Sequence, residues 1–209
     1  EPQLQSLTAT ALAHGGDYCD LYFEHTTFFN LLLKDGTVSS GGFHTDFGVG
    51  IRVLKGEKTG YAYSENTEMA DMLNAARAAS AIATGSSAGG RTYANVTDRK
   101  SDFYPMKENW RDKGADSFLP FMKELETSIF SKDSRTVKII GKIADSNTLV
   151  LFYNSLGEAF TDERPMINVV ANCVMEDGKG RSETSGVSRS YRMGFEMLTE
   201  ELMEEIATE

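Results

Sequence analysis

Apolar positions in residues 2–14 recur at helical spacing, with Leu4, Leu7, Ala11 and Leu12 on one stripe and Gly15-Gly16 as the stop. The period then drops to two. Along Asp17 to Thr27 (DYCDLYFEHTT), Cys19, Leu21, Phe23 and His25 form the face predicted for burial, and Tyr18, Asp20, Tyr22 and Glu24 point the other way. Phe28 to Leu33 leads into Lys34-Asp35-Gly36-Thr37, where Asp-Gly suits the two positive-φ positions of a type I′ hairpin turn, and the chain returns through Val38 to Phe43. In the segment DFGVGIRVLKGEKTGYAYSE, Val49, Ile51 and Val53 share one face, and Gly48, Gly50, Arg52 and Leu54 the other. Gly56 fits the first central position of a II′ turn, after which Thr59 to Ser64 pairs back.

Glycine in a strand costs conformational entropy and packs no side chain, so Gly48, Gly50 and Gly60 point to another backbone or helix lying close to this hairpin. The expected neighbour is a helix over Thr67 to Thr84, whose stripe of Met69, Met72, Leu73, Ala76, Ala79 and Ala83 is mostly alanine. Gly85 is placed as its C-cap and GSSAGG, residues 85–90, as a linker. Residues 91–114 show no clean period and carry Tyr93, Phe103, Tyr104 and Trp110, an excursion that either lies across the surface or contacts a partner.

The order of elements then recurs. A helix over Phe118 to Ser131 precedes strands over Thr136 to Ala144, Thr148 to Tyr153, Glu158 to Arg164 and Met166 to Met175, with a last helix from about Met197. The expected fold class is α+β, with two antiparallel-sheet units of helix–four strands–helix type in tandem. Residues 1–85 form the first unit, 86–116 a linker or excursion, and 117–209 the second unit. Matched turns and helix starts recur at roughly 115 to 125 residues, the spacing expected of an internal duplication, which stands as a hypothesis.

Composition restricts function more than fold. Thirty-one acidic against 21 basic residues give a net charge of -10, and without a Lys/Arg block such a chain repels a phosphate backbone, which argues against nucleic acid as a partner. Cys19 and Cys173 make no CxxC pair and read as reduced core thiols, consistent with a cytoplasmic setting. No apolar run approaches the roughly 18 residues that cross a bilayer. The chain starts Glu1-Pro2 without Met, so an upstream segment carrying a targeting address stays open.

His14, His25 and His44 form no HExxH and no other metal spacing, and no GxSxG elbow, P-loop or dinucleotide fingerprint is present. No catalytic or metal residue is assigned, and no cofactor is expected in this segment. The acids Glu200, Glu201, Glu204, Glu205 and Glu209 read as a solvated helix face. In the loop-like stretch RSETSGVSRSYRMG, Arg189, Tyr191 and Arg192 are the candidate substrate contacts, suited to a carboxylate or a peptide backbone; the alternative is an exposed connector solubilised by arginine. Acids in the final turn oppose the helix dipole, so the last helix is expected to continue into a following domain.

DYCDLYFEH, KDG, GVGIRVLKGEKTGYAY, DERP, MEDGKGR and RMGFE, in that order along the chain, resemble the N-terminal domain of the TldD/PmbA family, more closely TldD than TldE (PmbA). The resemblance covers most of the chain and is weakest over residues 85–116. It implies part of a metallopeptidase subunit, in a family once labelled modulator of DNA gyrase, that processes or degrades small flexible peptides. It also implies zinc held by an HExxxH helix and a Cys in a C-terminal domain, and pairing with a TldE/PmbA-like subunit or with a second copy. Neither piece of that metal motif occurs in this sequence, so the segment alone is expected to be inactive. A stand-alone peptide- or protein-binding module is the alternative.

Overall fold

A computed structural model describes residues 2–82, 97–100 and 103–209, the backbone alone being described at 97–100. The predicted C-cap Gly85, the linker 85–90 and Tyr93 lie outside the described residues. Contacts divide the chain into two compact units, each of α+β type. The first comprises Glu1–Thr26, Thr45–Asp102 and Thr148–Glu163, and the second Thr27–His44, Phe103–Asn147 and Arg164–Glu209.

This division differs from the tandem one expected, because the strands are longer than their local patterns. β1 (Tyr18–Lys34), β2 (Thr37–Lys55), β5 (Thr136–Asn154) and β6 (Glu158–Glu176) each run 17 or 19 residues, against the usual 3–10 or so. Each therefore supplies residues to both units. Short interruptions such as Gly41-Gly42 and Asp145-Ser146-Asn147 suggest breaks, yet the backbone stays extended through them. The expected four strands per repeat are three: α1 (Pro2–Ala11), β1, β2, β3 (Lys58–Ser64) and α2 (Met69–Ile82) first, and later α4 (Phe118–Lys132), β5, β6, β7 (Ser182–Tyr191) and α5 (Glu200–Thr208). Between them come β4 (Thr97–Lys100) and the single turn α3 (Trp110–Lys113). Hydrogen bonding orders the strands β3-β2-β1-β5-β6-β4, with β7 also beside β6. β3 and β7 pair antiparallel and β4 parallel.

The turns follow their sequences. Asp35 and Gly36 both have positive φ, as a I′ turn requires, and Gly56 alone does so in the next hairpin, as in II′. Asp17 braces that second turn by accepting from the Gly56 N–H at 2.9 Å and from Lys55 Nζ at 3.2 Å. Asp35 exchanges two bonds with Ile139, donating its N–H at 3.2 Å and accepting at Oδ1 from the Ile139 N–H at 3.1 Å. The first β turn is thus held against β5.

In the first unit, Cys19 and Leu21 of β1 and Val49, Ile51 and Val53 of β2 meet Leu7, Ala11, Met72, Ala76 and Ala79 of the helices. The predicted burial face of β1 is correct at Cys19 and Leu21. Asp20, on the opposite face, is buried as well because Arg52 binds it through Nε at 3.0 Å and Nη2 at 2.5 Å. A Cβ at Gly60 would run into the Ala79 carbonyl oxygen, so β3 and α2 meet backbone to backbone there, as the glycine and alanine composition implied. The second unit packs Phe29, Leu31 and Leu33 of β1 with Ile139, Ile143, Ile167 and Val169 against Met122, Leu125 and Ile129 of α4 and Leu202 and Ile206 of α5. Trp110 is buried in that core with its ring centroid 5.0 Å from Phe29. Trp110 of the 91–114 excursion is therefore packed within its own chain, while Phe103 is exposed.

Candidate functional site

Most of the arginine-bearing stretch is a strand. β7 pairs with β6 so that Arg189 faces Val169 and Tyr191 faces Ile167 in register, which corrects the loop-like reading over Ser182–Tyr191, while Arg181 and Arg192 lie just outside the strand. Its sequence has few apolar residues, and its extended form is set by the partner strand rather than by its own pattern. Arg189 donates from Nε to Glu205 and from Nη2 to Glu209, each at 2.5 Å. Arg192 lies over the Tyr104 ring at 5.5 Å from its centroid. Tyr191 is partly buried against the core of the second unit. Both arginines are thus occupied within the chain. Lys132 pairs with Glu204, so three of the C-terminal acids read as a solvated face serve as counter-ions to neighbouring cations.

A concavity in the first unit has a volume of about 520 Å³. Phe23, Phe47, Leu149 and Leu151 give it an apolar wall, and His25 and Glu163 bring polar chemistry to it. That volume and mixture lie within the range of small-ligand or peptide side-chain sites. Of the other histidines, His14 shares a hydrogen bond between Nδ1 and Ser80 Oγ at 3.0 Å, and His44 stacks on Phe28 with centroids 4.5 Å apart. Among the described residues, no three His, Cys, Asp or Glu side chains are grouped to hold a metal ion.

The second unit contains a carboxyl that pattern reading passed over. Ile139, Gly141, Ile143 and Asp145 alternate onto the buried side of β5, so Asp145 takes a place its neighbours fill with apolar or small residues. Burial, and secondarily the negative charge of Glu196, push its pKa up to about 7. Glu196 is held below its ordinary value despite partial burial, because the N–H groups of Lys107, Glu108 and Gly194 donate to it at 3.1, 2.9 and 3.3 Å. Asp145 lines a cavity of about 700 Å³ with Asn30, Ser40, His44 and Asn168. A carboxyl poised near neutrality can accept or release a proton there. The signal available in the sequence was an acid at a core-parity position of a strand.

The fold defines the chain as two α+β units with concave surfaces. The particular family follows from comparison. The profile of PmbA/TldA metallopeptidase domain 1 matches residues 19–83, and that of the PmbA/TldA metallopeptidase central domain matches residues 108–209. The chain belongs to this PmbA/TldD metallopeptidase family. It is 26% identical over 189 residues to a metalloprotease TldD homolog of Haemophilus influenzae, covering 88% of this chain and 38% of that one. It is 27% identical over 179 residues to a TldD homolog of Buchnera aphidicola subsp. Acyrthosiphon pisum, with 83% and 36% covered. A Thermotoga maritima protein described as a candidate modulator of a DNA gyrase shares the fold with a TM-score of 0.76 at 19% identity, over 99% of this chain and 45% of that one. TldE from Thermococcus kodakarensis does so with 0.66 at 16%, over 99% and 46%. The chain thus spans less than half the length of each of these proteins.

Proposed function

We propose that these residues are the N-terminal, non-catalytic portion of a TldD-like metallopeptidase subunit that processes or degrades small unfolded peptides. The observation that carries this reading is the pair of matched domains, first and central, on a chain that spans 38% of its Haemophilus influenzae relative. The described residues do not fit the zinc that the family resemblance implies, since they offer no grouped donor set; its HExxxH and Cys ligands are assigned to a following C-terminal domain. The role of this portion is to wall a peptide chamber and to contact a second subunit, of TldE/PmbA type or a second copy, in the cytoplasm. Among the described residues no helix is long and apolar enough to cross a membrane. A stand-alone binding module built on Arg189 and Arg192 is the weaker reading, because both already have partners.

The test is cleavage of an unfolded peptide by the 209-residue chain alone and by the product of its whole reading frame, with and without chelator. Chelator-sensitive cleavage by the whole product only is expected. Cleavage by the 209 residues alone, or a reading frame that stops just after Glu209, would overturn the proposal.

A further inference from the structure

The first unit uses one face of its β1–β2–β3 sheet to pack α1 and α2, and leaves the other face largely exposed. On that exposed face β1 presents Tyr22, and β3 presents Tyr61 and Tyr63, which are 57% and 68% exposed. Register places Tyr63 opposite Gly50 and Tyr61 opposite Arg52. Gly48 and Gly50 keep the floor between the rings at backbone level. A Cβ at Gly50 would sit 2.7 Å from the Tyr61 hydroxyl, and one at Gly48 would sit 2.8 Å from the Ser64 carbonyl oxygen. These two glycines therefore let Tyr61 lean over β2 and let the end of β3 close in. The resulting groove has a volume of about 360 Å³.

Its polar groups carry one sign. Glu24, Asp46 and Glu65 line the groove. The basic residue of β2 on the same face, Arg52, is committed to Asp20. Aromatic faces attract cations through their quadrupole, and carboxylates add charge-assisted hydrogen bonds. An anionic ligand would meet the Glu24 and Glu65 carboxylates on a chain of net charge -10. We propose that this groove binds the Lys or Arg side chain of an extended peptide, with the ammonium or guanidinium against the tyrosine rings and the carboxylates as counter-ions. The volume is near the lower end of ligand sites, about 300–1,000 Å³, which suits one long side chain with its flanking backbone. The proposal does not depend on the metallopeptidase reading, since it concerns binding without turnover.

The experiment measures fluorescence anisotropy of a short fluorescein-labelled Gly/Ser peptide carrying Arg, against counterparts carrying Gln or Glu, on both the 209-residue chain and its whole reading-frame product. The Arg peptide is expected to bind about 10-fold more tightly than the Gln peptide, and the Glu peptide more weakly still. Tyr63→Ala should weaken Arg-peptide binding about 3- to 30-fold, and Tyr63→Phe, which keeps the ring, should restore it. Glu24→Gln with Glu65→Gln should weaken binding and flatten its salt dependence. Equal binding of Arg and Gln peptides overturns the proposal, as does wild-type affinity in Tyr63→Ala. Binding present in the 209 residues and lost in the whole product also overturns it, by showing that the groove is covered within the parent protein.

Discussion

The two units solve the same helix-on-sheet problem by different means. Under α2 the first unit places Gly60 against the Ala79 backbone, with Ala75 and Ala76 completing a smooth helix face. Under α4 the second unit places Gly141 against the terminal methyl of Met122, in a core that also contains Phe29, Trp110 and Phe118. One contact is backbone on backbone and cannot yield without moving a helix. The other is backbone on a flexible side-chain tip, so large residues do the filling and small changes are absorbed.

That contrast can be tested by substitution. Phe118→Ala, at a site fully buried between Phe29 and Phe195, should cost about 3–5 kcal/mol in urea unfolding. A loss below about 1 kcal/mol would mean the aromatic core is not what holds the second unit. Gly60→Ala should cost about 2–3 kcal/mol by overpacking, and a melting temperature unchanged from wild type would refute the backbone contact. Asp145 adds a pH signature to the second unit alone. Its folded pKa is raised, so its contribution to stability is full below the unfolded value near 4 and is lost as pH rises to about 7. Stability should fall by about 4 kcal/mol across that window, and Asp145→Asn should flatten the profile; an unaltered profile in the variant would show that other groups set it. Gly141→Ala should cost under about 1 kcal/mol, since only a methionine tip must move. The smallest effect is expected of Arg189→Ala with Arg192→Ala: no change in peptide affinity, because both guanidinium groups already have partners within the chain. Loss of peptide binding in that double variant would return these residues to the site.

Local sequence suffices where one segment decides its own state. Asp35-Gly36 and Gly56 name their turns because positive φ is a property of those residues. Cys19, Leu21, Val49, Ile51 and Val53 declare a buried face because alternation needs no partner to be visible. β7 was missed because Ser182–Tyr191 has little alternation of its own, and its extended state comes from ten paired residues of β6. Asp145 was missed because a lone acid within Ala144-Asp145-Ser146-Asn147 looks like a break, although its parity continues that of Ile139 and Ile143. The occupied state of Arg189 was equally hidden, since Glu205 and Glu209 lie 16 and 20 residues away.

By itself, the order of residues determined the α+β class, the hairpin turns, the helix stripes, the acidic balance and a family resemblance that the domain matches bear out. These are properties of short windows, where backbone preference and side-chain period suffice. Only the tertiary structure decided that β1, β2, β5 and β6 run unbroken over 17 or 19 residues, that Arg189 is paired with Glu205 and Glu209, and that Asp145 is buried with a pKa near neutrality. Each of those depends on groups distant in the chain, and on how far packing removes them from water.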